Sequence, residues 1–407
     1  MSASVDAGTH DGSANVAAAA QDALLEVTDL RTHFPVRSSG IVRKVVGQVK
    51  AVDGISLHLK PGETLGLVGE SGCGKSTAGR TILRLLEPTS GRIVLDGSDI
   101  TSMSRRQLVP IRRKAQMIFQ DPYNALNPRH TVGTIIGSPL RVQGLQPPGG
   151  IRMAVQDLMA RVGLNPEHYN RYPNEFSGGQ RQRIGIARSL ALRPKLIVCD
   201  EPVSALDVSI QAQILNLLQD LQDEYGIAYL FIAHDLAVVR QVAHRVAVMY
   251  LGHVMEQASR DDLYLRPRHP YTHALMSAIP VPDPSAQGQR ERIVLGGDLP
   301  SPMDPPSGCV FRTRCFQAQD RCAAQVPPLV ELAPGHLVAC HFPLTSLPAG
   351  VTVRADSGFV AQPRRAFDSP SERVSDIPIG VPQEPMQLGE LDSLVHDEPQ
   401  DGSTSER

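Results

Sequence analysis

A glycine-rich stretch at residues 69–77 carries the residue types that bind phosphate. It reads, in order, Gly69, Glu70, Ser71, Gly72, Cys73, Gly74, Lys75, Ser76 and Thr77. Its glycines allow the tight turns that aim backbone N–H groups at phosphate oxygens, and the helix predicted to follow adds a partial positive charge. Lys75 can reach the β- and γ-phosphates, and Ser76 can ligate Mg²⁺. Because the pattern lies between a predicted strand and a predicted helix, it indicates a nucleoside triphosphate site rather than a plain glycine turn.

Two carboxylates end the apolar run KLIVCDEP. An unpaired carboxylate at the end of a buried strand is costly, so packing alone does not account for Asp200 and Glu201. We interpret Asp200 as a Mg²⁺ ligand and Glu201 as the general base for an attacking water. A solvent-exposed strand end is the alternative, and the preceding phosphate-binding loop argues against it.

A segment between these two motifs narrows the class of nucleotide hydrolase. RYPNEFSGGQRQRIGIARSLALRPK resembles the signature motif of ABC ATPases, with Ser177, Gly178, Gly179 and Gln180 heading an Arg-rich helix. Other motifs are similar to that family in order and spacing: Gln120 in MIFQDP, Asp207 in SALD, His234 in FIAHDL and Phe34 in LRTHFP. The resemblance implies an α/β P-loop NTPase fold: an ABC cassette with a RecA-like core, an antiparallel β subdomain and a helical signature subdomain.

The resemblance also implies a role for each motif. Lys75, Glu201 and His234 are expected to be catalytic, with His234 contacting the γ-phosphate and holding the attacking water with Glu201. Ser76, Gln120 and Asp200 would ligate Mg²⁺. The Phe34 ring would stack on adenine. The signature residues 177–180, at a helix N-terminus suited to anions, would complete the ATP site of a facing subunit, with Asp207 in the D-loop nearby.

The coarse pattern along the chain fits such a fold. Strand-like runs alternate with helical ones: LLEVTDL, ISLHLKPG, TLGLVG, GRIVLDG, AQMIFQ, KLIVCDEP, AYLFIAH and RVAVMYLG are the strand candidates. QAQILNLLQDLQDEYG spaces its apolar residues as a helix that ends at Gly226. This alternation predicts a layered α/β domain with a substantially parallel sheet.

Composition suggests the outer boundaries. Residues 1–23 read as a disordered arm, 24–279 as the cassette, 280–344 as a small C-terminal extension and 345–407 as a disordered acidic tail. Pro280, Pro282 and Pro284 mark the boundary after the cassette.

A net charge of −2 gives no indication of a nucleic-acid partner. We find neither a signal-peptide pattern nor an apolar run of the ~20 residues that span a bilayer. A cytosolic chain with reduced thiols is therefore expected, reaching membranes through a partner.

Two further segments resemble one branch of ABC transporters. The basic insert RSSGIVRKVVGQVKAVDG, with Arg37, Arg43, Lys44 and Lys50, and the later HPYTHAL are similar to the F-type ATP-binding subunit of oligopeptide/dipeptide importers. That resemblance implies a heterodimer with a sister ATPase and docking on two permeases at the cytoplasmic face of the membrane. An extracellular solute-binding protein would take part indirectly. The insert is otherwise a solvated loop, although its charge suits an anionic membrane surface.

Four cysteines lie in the C-terminal extension: Cys309, Cys315, Cys322 and Cys340. Thiols without a role, disulfides and a metal site are the alternatives; the reducing compartment disfavours disulfides. Four thiolates suit tetrahedral Zn²⁺ or an iron–sulfur cluster, and their spacing matches neither a zinc knuckle nor a ferredoxin. The resemblance to the importer extension implies a [4Fe–4S] cluster, with Zn²⁺ as the alternative. Cys73 and Cys199 lie inside motifs and need only be small and buried.

Three other functions remain in view. Relatives also handle nickel complexes and glutathione, so the cargo is open. A soluble ABC ATPase of DNA repair or translation would show fused cassettes, a coiled-coil insertion or zinc modules, and none of these is seen in the sequence. A redox or iron sensor with secondary ATP binding would depend on the four cysteines.

Overall fold

The computed structural model describes residues 23–38, 44–279 and 293–345. The predicted N-terminal arm to residue 22, the proline boundary at 280–284 and the acidic tail from 346 lie outside the described residues. Within the described part, contacts divide the chain into two compact units. The first unit comprises residues 23–121 and 193–345, and the second comprises residues 122–192.

The first unit contains a four-stranded antiparallel sheet. Its strands are β1 (Leu25–Arg37), β2 (Val45–Leu59), β4 (Ser90–Leu95) and β5 (Ser98–Asp99), in the order β2-β1-β4-β5. Leu25 pairs with Leu59, and Leu30 pairs with Ile55; all four side chains are buried. This sheet is the predicted antiparallel subdomain. Residues 45–54 of the basic insert, for which a solvated loop was one expectation, belong to β2 and pair with β1.

A larger sheet forms the centre of the first unit. Its parallel strands are β3 (Thr64–Val68), β6 (Ala115–Ile118), β7 (Leu196–Asp200), β8 (Ala228–Ala233) and β9 (Arg245–Tyr250), and its antiparallel edge is β10 (His253–Ser259), β12 (His336–Val338) and β11 (Val330–Ala333). The order is β11-β12-β10-β9-β3-β8-β7-β6. Every residue of β3, β7 and β8 is buried, which explains why these strands read as unbroken apolar runs.

Helices of the first unit flank these sheets. They are α1 (Lys75–Ile82), α2 (Leu108–Lys114), α6 (Val208–Tyr225), α7 (Leu236–Val242), α8 (Arg260–Leu265), α9 (Pro270–Ser277) and α10 (Asp320–Ala324). Ile214, Leu217, Leu218 and Leu221 of α6 are buried, and Gly226 ends the helix in the left-handed conformation, as the spacing predicts. In the described part of the chain, no helix combines the length and apolar character needed to cross a membrane.

The second unit is helical. It contains α3 (Val132–Val142), α4 (Gly150–Arg161), α5 (Gly178–Leu190) and the short 3₁₀ helices Pro166–Asn170 and Pro173–Glu175. Leu140 and Leu145 form a small apolar cluster with Ala191 and Leu192. The signature residues thus begin a helix of the predicted helical subdomain.

The C-terminal extension is joined to the main sheet through β10 and β12. Glu256 on β10 is fully buried, and Val338 on β12 lies opposite it. Its carboxylate accepts hydrogen bonds from the backbone N–H groups of Arg268 (2.7 Å) and His269 (2.9 Å), and Nε2 of His336 lies 2.7 Å from it. These contacts satisfy a buried carboxylate that would otherwise be costly.

Candidate nucleotide-binding site

The phosphate-binding loop joins the carboxyl end of β3 to the first turn of α1 and has glycine where only glycine fits. A Cβ at Gly69 would lie 2.1 Å from the Met249 carbonyl oxygen, and one at Gly74 would lie 1.9 Å from the Ala51 carbonyl oxygen. Both residues also have positive φ, 152° and 105°. The loop is therefore pressed against neighbouring backbone, and α1 begins immediately after Gly74 with its N–H groups free for an anion.

Lys75 is held inside this loop. Its side chain is buried, and Nζ donates to the carbonyl oxygens of Gly69 and Glu70, each at 2.8 Å. Cys73 lies 3.7 Å from the same Nζ, and burial raises the pKa of its thiol. Cys73 and Cys199 are both buried, as expected for thiols that only fill space. The ammonium group thus lies within the loop that the glycines shape.

Ser76 and Asp200 form the predicted oxygen-ligand pair. The Ser76 hydroxyl donates to Oδ1 of Asp200 at 2.6 Å, and Asp200 is fully buried at the carboxyl end of β7. Arg80, one turn further along α1, lies 3.3 Å from Oδ2 of the same carboxylate. A hydroxyl and a carboxylate oxygen are ligands that Mg²⁺ prefers. The Arg80 contact was not predicted from the sequence, although its position four residues after Ser76 places it on the same helical face.

Glu201 lies between the two residues predicted to act with it. Gln120 Nε2 donates to its Oε2 at 2.8 Å, and His234 Nδ1 lies 3.3 Å from its Oε1. Its backbone φ is +46°, a conformation rare for residues other than glycine and one that clusters at functional sites. The carboxylate is 13% exposed whereas the His234 side chain is 55% exposed. The three parallel strands β6, β7 and β8 bring these side chains to one edge of the sheet.

A cleft of about 210 Å³ opens beside these groups. Its lining includes residues 71–77, Gln120 and Glu201. Sequence reasoning missed the other walls: Val49, Lys50, Ala51, Leu251, Gly252 and Pro302. The backbone N–H of Lys50 donates to the Pro302 carbonyl at 3.1 Å. The sequence predicts no contact for Lys50 beyond a solvated basic insert whose charge suits a membrane surface, and the structure places Lys50 in the wall of the cleft.

Phe34 is not among the lining residues. It lies on β1 opposite Val49, a residue that does line the cleft, and its side chain is 38% exposed. An exposed aromatic side chain paired with a cleft strand is available for stacking on a base. Its role in adenine binding stays a prediction.

The signature residues are capped within the second unit. Ser177 Oγ accepts from the Gln180 N–H at 3.4 Å, and Gln180 Oε1 accepts from the Ser177 N–H at 3.0 Å. This capping box fixes the start of α5. Gly178 and Gly179 follow as its first residues. In the first unit, Asp207 precedes α6, is exposed and makes no side-chain capping bond.

The four cysteines of the extension line one small cavity. Burial raises the pKa of Cys315 to about 11 and that of Cys340 to about 12. Across residues 23–38, 44–279 and 293–345, no group of three or more His, Cys, Asp or Glu side chains is arranged to hold a metal ion. The predicted ligand set therefore shares a cavity but lacks the geometry of a metal-ion site, and iron–sulfur or zinc binding gains no support from it.

Comparison with known proteins adds two family matches. Residues 52–204 match the family described as ABC transporter, and residues 255–322 match the oligopeptide/dipeptide transporter C-terminal region. The chain is 55% identical over 325 residues, 80% of its length and 98% of the relative's, to the oligopeptide transport ATP-binding protein AppF of Bacillus subtilis (strain 168). It is 54% identical over 320 residues, 79% of its length and 90% of the relative's, to the probable peptide ABC transporter ATP-binding protein y4tS of Sinorhizobium fredii.

Solved structures give the same result for the fold. CbiO1 from Clostridium perfringens, part of the ABC transporter complex cbiONQ, is 30% identical with a TM-score of 0.52, covering 60% of this chain and 92% of that one. A dimeric post-hydrolysis state of the ATP-binding cassette MJ0796, bound to ADP and Pi, is 28% identical with a TM-score of 0.51, covering 58% and 98%. These likenesses confirm the predicted α/β cassette fold.

Proposed function

Because the chain belongs to the family of ABC transporter ATP-binding proteins, which hydrolyse ATP to drive transport, we propose that it energises the import of dipeptides or oligopeptides. The observation that carries this proposal is the pairing of an assembled hydrolytic site with the peptide-transporter C-terminal region in one compact unit. The relatives named above are described as peptide transport proteins, which supports the same cargo class. The division into a cassette at 24–279 and an extension at 280–344 is part of this proposal.

Within the nucleotide site, we assign roles from contacts already described. Glu201 takes a proton from the attacking water, since its carboxylate is only partly exposed and lies between Gln120 and His234. The amide and imidazole hold that carboxylate in place. Lys75 exchanges its loop carbonyls for phosphate oxygens. A Mg²⁺ ion, held by Ser76, Asp200 and Gln120, would neutralise phosphate charge.

The remaining motifs serve a dimer in this proposal. Ser177, Gly178, Gly179 and Gln180 present a capped helix N-terminus, which suits the phosphates of a facing subunit. Asp207 lies exposed at the start of α6, where a partner can reach it. The dimeric state of the MJ0796 cassette supports such an arrangement. We propose a sister ATPase as partner, two permeases as the docking site and a peripheral position on the cytoplasmic face of the membrane, with a solute-binding protein outside.

Transport assays test the cargo. The chain is reconstituted in vesicles with its sister ATPase and two permeases, the solute-binding protein is added outside, and uptake of a labelled dipeptide is measured with MgATP inside. Peptide uptake that is lost in Lys75→Ala and kept in Lys60→Ala, an exposed lysine outside the cleft, supports the proposal. If the vesicles took up nickel complexes or glutathione but not the dipeptide, the peptide cargo would be refuted, whereas the assignment of ATP hydrolysis would stand.

We also propose that the four cysteines hold a [4Fe–4S] cluster rather than Zn²⁺. The proposal rests on the resemblance of this segment to the importer extension; the four thiols line one cavity, and four thiolates are the ligand set of such clusters. Anaerobic purification of the full chain, followed by iron and acid-labile sulfide analysis, tests this assignment. Equal iron and sulfide that are lost in Cys315→Ser and kept in Cys199→Ala support it, whereas zinc or no metal refutes it.

A further inference from the structure

The second residue of the phosphate-binding loop, Glu70, is held by the C-terminal extension. Arg314, which lies between Cys309 and Cys315 in the sequence, donates from its guanidinium to Oε2 of Glu70 at 2.6 Å. The two residues are 244 positions apart in the chain. The Arg314 side chain is 9% exposed and the Glu70 side chain is 24% exposed, so solvent screens this ion pair only in part.

Glu70 is fixed at three atoms. Besides the ion pair, its backbone N–H donates to the Tyr271 hydroxyl at 3.0 Å, and its carbonyl accepts from Lys75 Nζ at 2.8 Å. Two of these three contacts come from the segment that follows the cassette strands. The third comes from the lysine that must reach phosphate. Any change in the Glu70 position is therefore passed to Lys75.

A buried aromatic cluster anchors Arg314 and Tyr271. The Phe311 ring centre lies 5.3 Å from that of Tyr250 and 5.2 Å from that of Tyr271, and both tyrosine rings are 4.8 Å apart. The Arg314 guanidinium carbon lies 6.0 Å from the Tyr250 ring centre, at the limit of a cation–π contact. Burial is the largest single influence on the pKa of Arg314 and lowers it, but the hydrogen bonds and charge interactions with Glu70 and Tyr250 together outweigh burial, so the pKa is raised.

We propose that Arg314 is a positioning residue of the nucleotide site, which neutralises Glu70 and holds the phosphate-binding loop in the form that accepts ATP. A loop built to bind a polyanion carries a carboxylate as its second residue, and an unpaired negative charge there opposes phosphate binding. The positive charge of Arg314 offsets the Glu70 charge and so reduces its repulsion of phosphate. The extension thus acts directly on the cassette's affinity for nucleotide. This inference rests on the proposed nucleotide site.

A charge-rescue cycle tests the assignment on the full chain. Binding of a fluorescent ATP analogue with Mg²⁺ is titrated, an extrinsic probe being needed because the chain has no tryptophan. Arg314→Met leaves Glu70 charged and unpaired, and we expect its Kd to rise about tenfold. Glu70→Gln should bind as wild type or more tightly. The double variant should return to the affinity of Glu70→Gln.

Turnover in the assembled complex gives a second measurement. We expect Arg314→Met to raise the KM for ATP by the same factor, with kcat kept within about twofold because Glu201 and His234 are untouched. Arg321→Met is the matched control, since Arg321 lies on the same extension, is exposed and hydrogen-bonds only locally to Gln325 in the described contacts. Arg321→Met should change neither the KM for ATP nor kcat.

The outcomes decide the proposal. Unchanged affinity in Arg314→Met overturns it, and so does a loss that Glu70→Gln fails to rescue, because that loss would reflect folding alone. If Arg314→Met does not fold, Arg314→Gln replaces it with the same expected loss and the same criterion. A wild-type chain that binds no nucleotide would overturn the nucleotide site as well. If the wild-type chain binds nucleotide and Arg314→Met binds it with the same affinity, only this inference is refuted.

Discussion

Replacing Glu201 by Gln should remove the general base while keeping the shape of the site. A glutamine at this position has the same length, and its carbonyl oxygen can still accept the hydrogen bond that Gln120 Nε2 now donates at 2.8 Å. The left-handed φ of +46° is equally demanding for glutamine, so backbone strain is unchanged. The substitution therefore isolates the loss of one proton acceptor.

The structure also indicates how large that loss should be. A positioned general base contributes ~10²–10⁴-fold to rate. Asp200 cannot replace Glu201, since it is fully buried and its oxygens are engaged by Ser76 and Arg80. His234 is exposed, but it contacts the carboxylate that is being removed. We therefore expect kcat to fall ~10³-fold, which corresponds to ~4 kcal/mol of transition-state stabilisation.

Steady-state ATP hydrolysis by the assembled complex, measured alongside binding of a fluorescent ATP analogue, checks this expectation. Affinity for MgATP should stay within about threefold of wild type, because the contacts of Lys75 and Ser76 are not altered. A kcat that falls less than about tenfold would refute the role of Glu201 as base. A large rise in Kd would show instead that the carboxylate mainly shapes the nucleotide site.

Three further perturbations test other parts of the structure. Phe311→Ala should lower the unfolding free energy by ~3–5 kcal/mol, because this ring is fully buried in the aromatic cluster, whereas Phe316→Ala, at a side chain 52% exposed, should cost far less; chemical denaturation compares the two. Gly74→Ala should abolish binding of the ATP analogue without unfolding the chain, since its Cβ would lie 1.9 Å from the Ala51 carbonyl oxygen; retained binding would contradict that geometry. Burial and then Arg245 lower the pKa of His58, so the folded state binds fewer protons than the unfolded state and stability falls as pH drops below about 6.5. His58→Gln should therefore lose less stability than wild type between pH 7 and 5, and parallel pH profiles would contradict this.

The proximity of Gln120, Glu201 and His234 could be predicted from the sequence because each belongs to a local motif at a strand end. Gln120, Glu201 and His234 follow three predicted strands, and parallel strands bring their carboxyl ends to one edge of a sheet. The order of the strands is therefore enough to predict that these three side chains meet; the structure gives their contacts as 2.8 and 3.3 Å.

The walls of the cleft could not be predicted in the same way. Lys50 lines the cleft because β2 pairs with β1 from Val45 onward and the Lys50 backbone N–H meets the Pro302 carbonyl. The strand β10 was also missed, because Glu256 and Gln257 interrupt its apolar pattern. Glu256 is tolerated there through His336, a partner 80 residues away, and no local pattern encodes such a partner.

The buried Glu256 carboxylate has a consequence for how this protein can be divided. A fragment that stops at residue 279 would keep the carboxylate and its two backbone donors but lose His336 and the strand β12 that covers it. A chimera that takes its extension from a relative would have to supply an equivalent donor at that point and an arginine facing Glu70. The cassette and the C-terminal extension therefore depend on each other, because a substitution in one is constrained by a residue in the other.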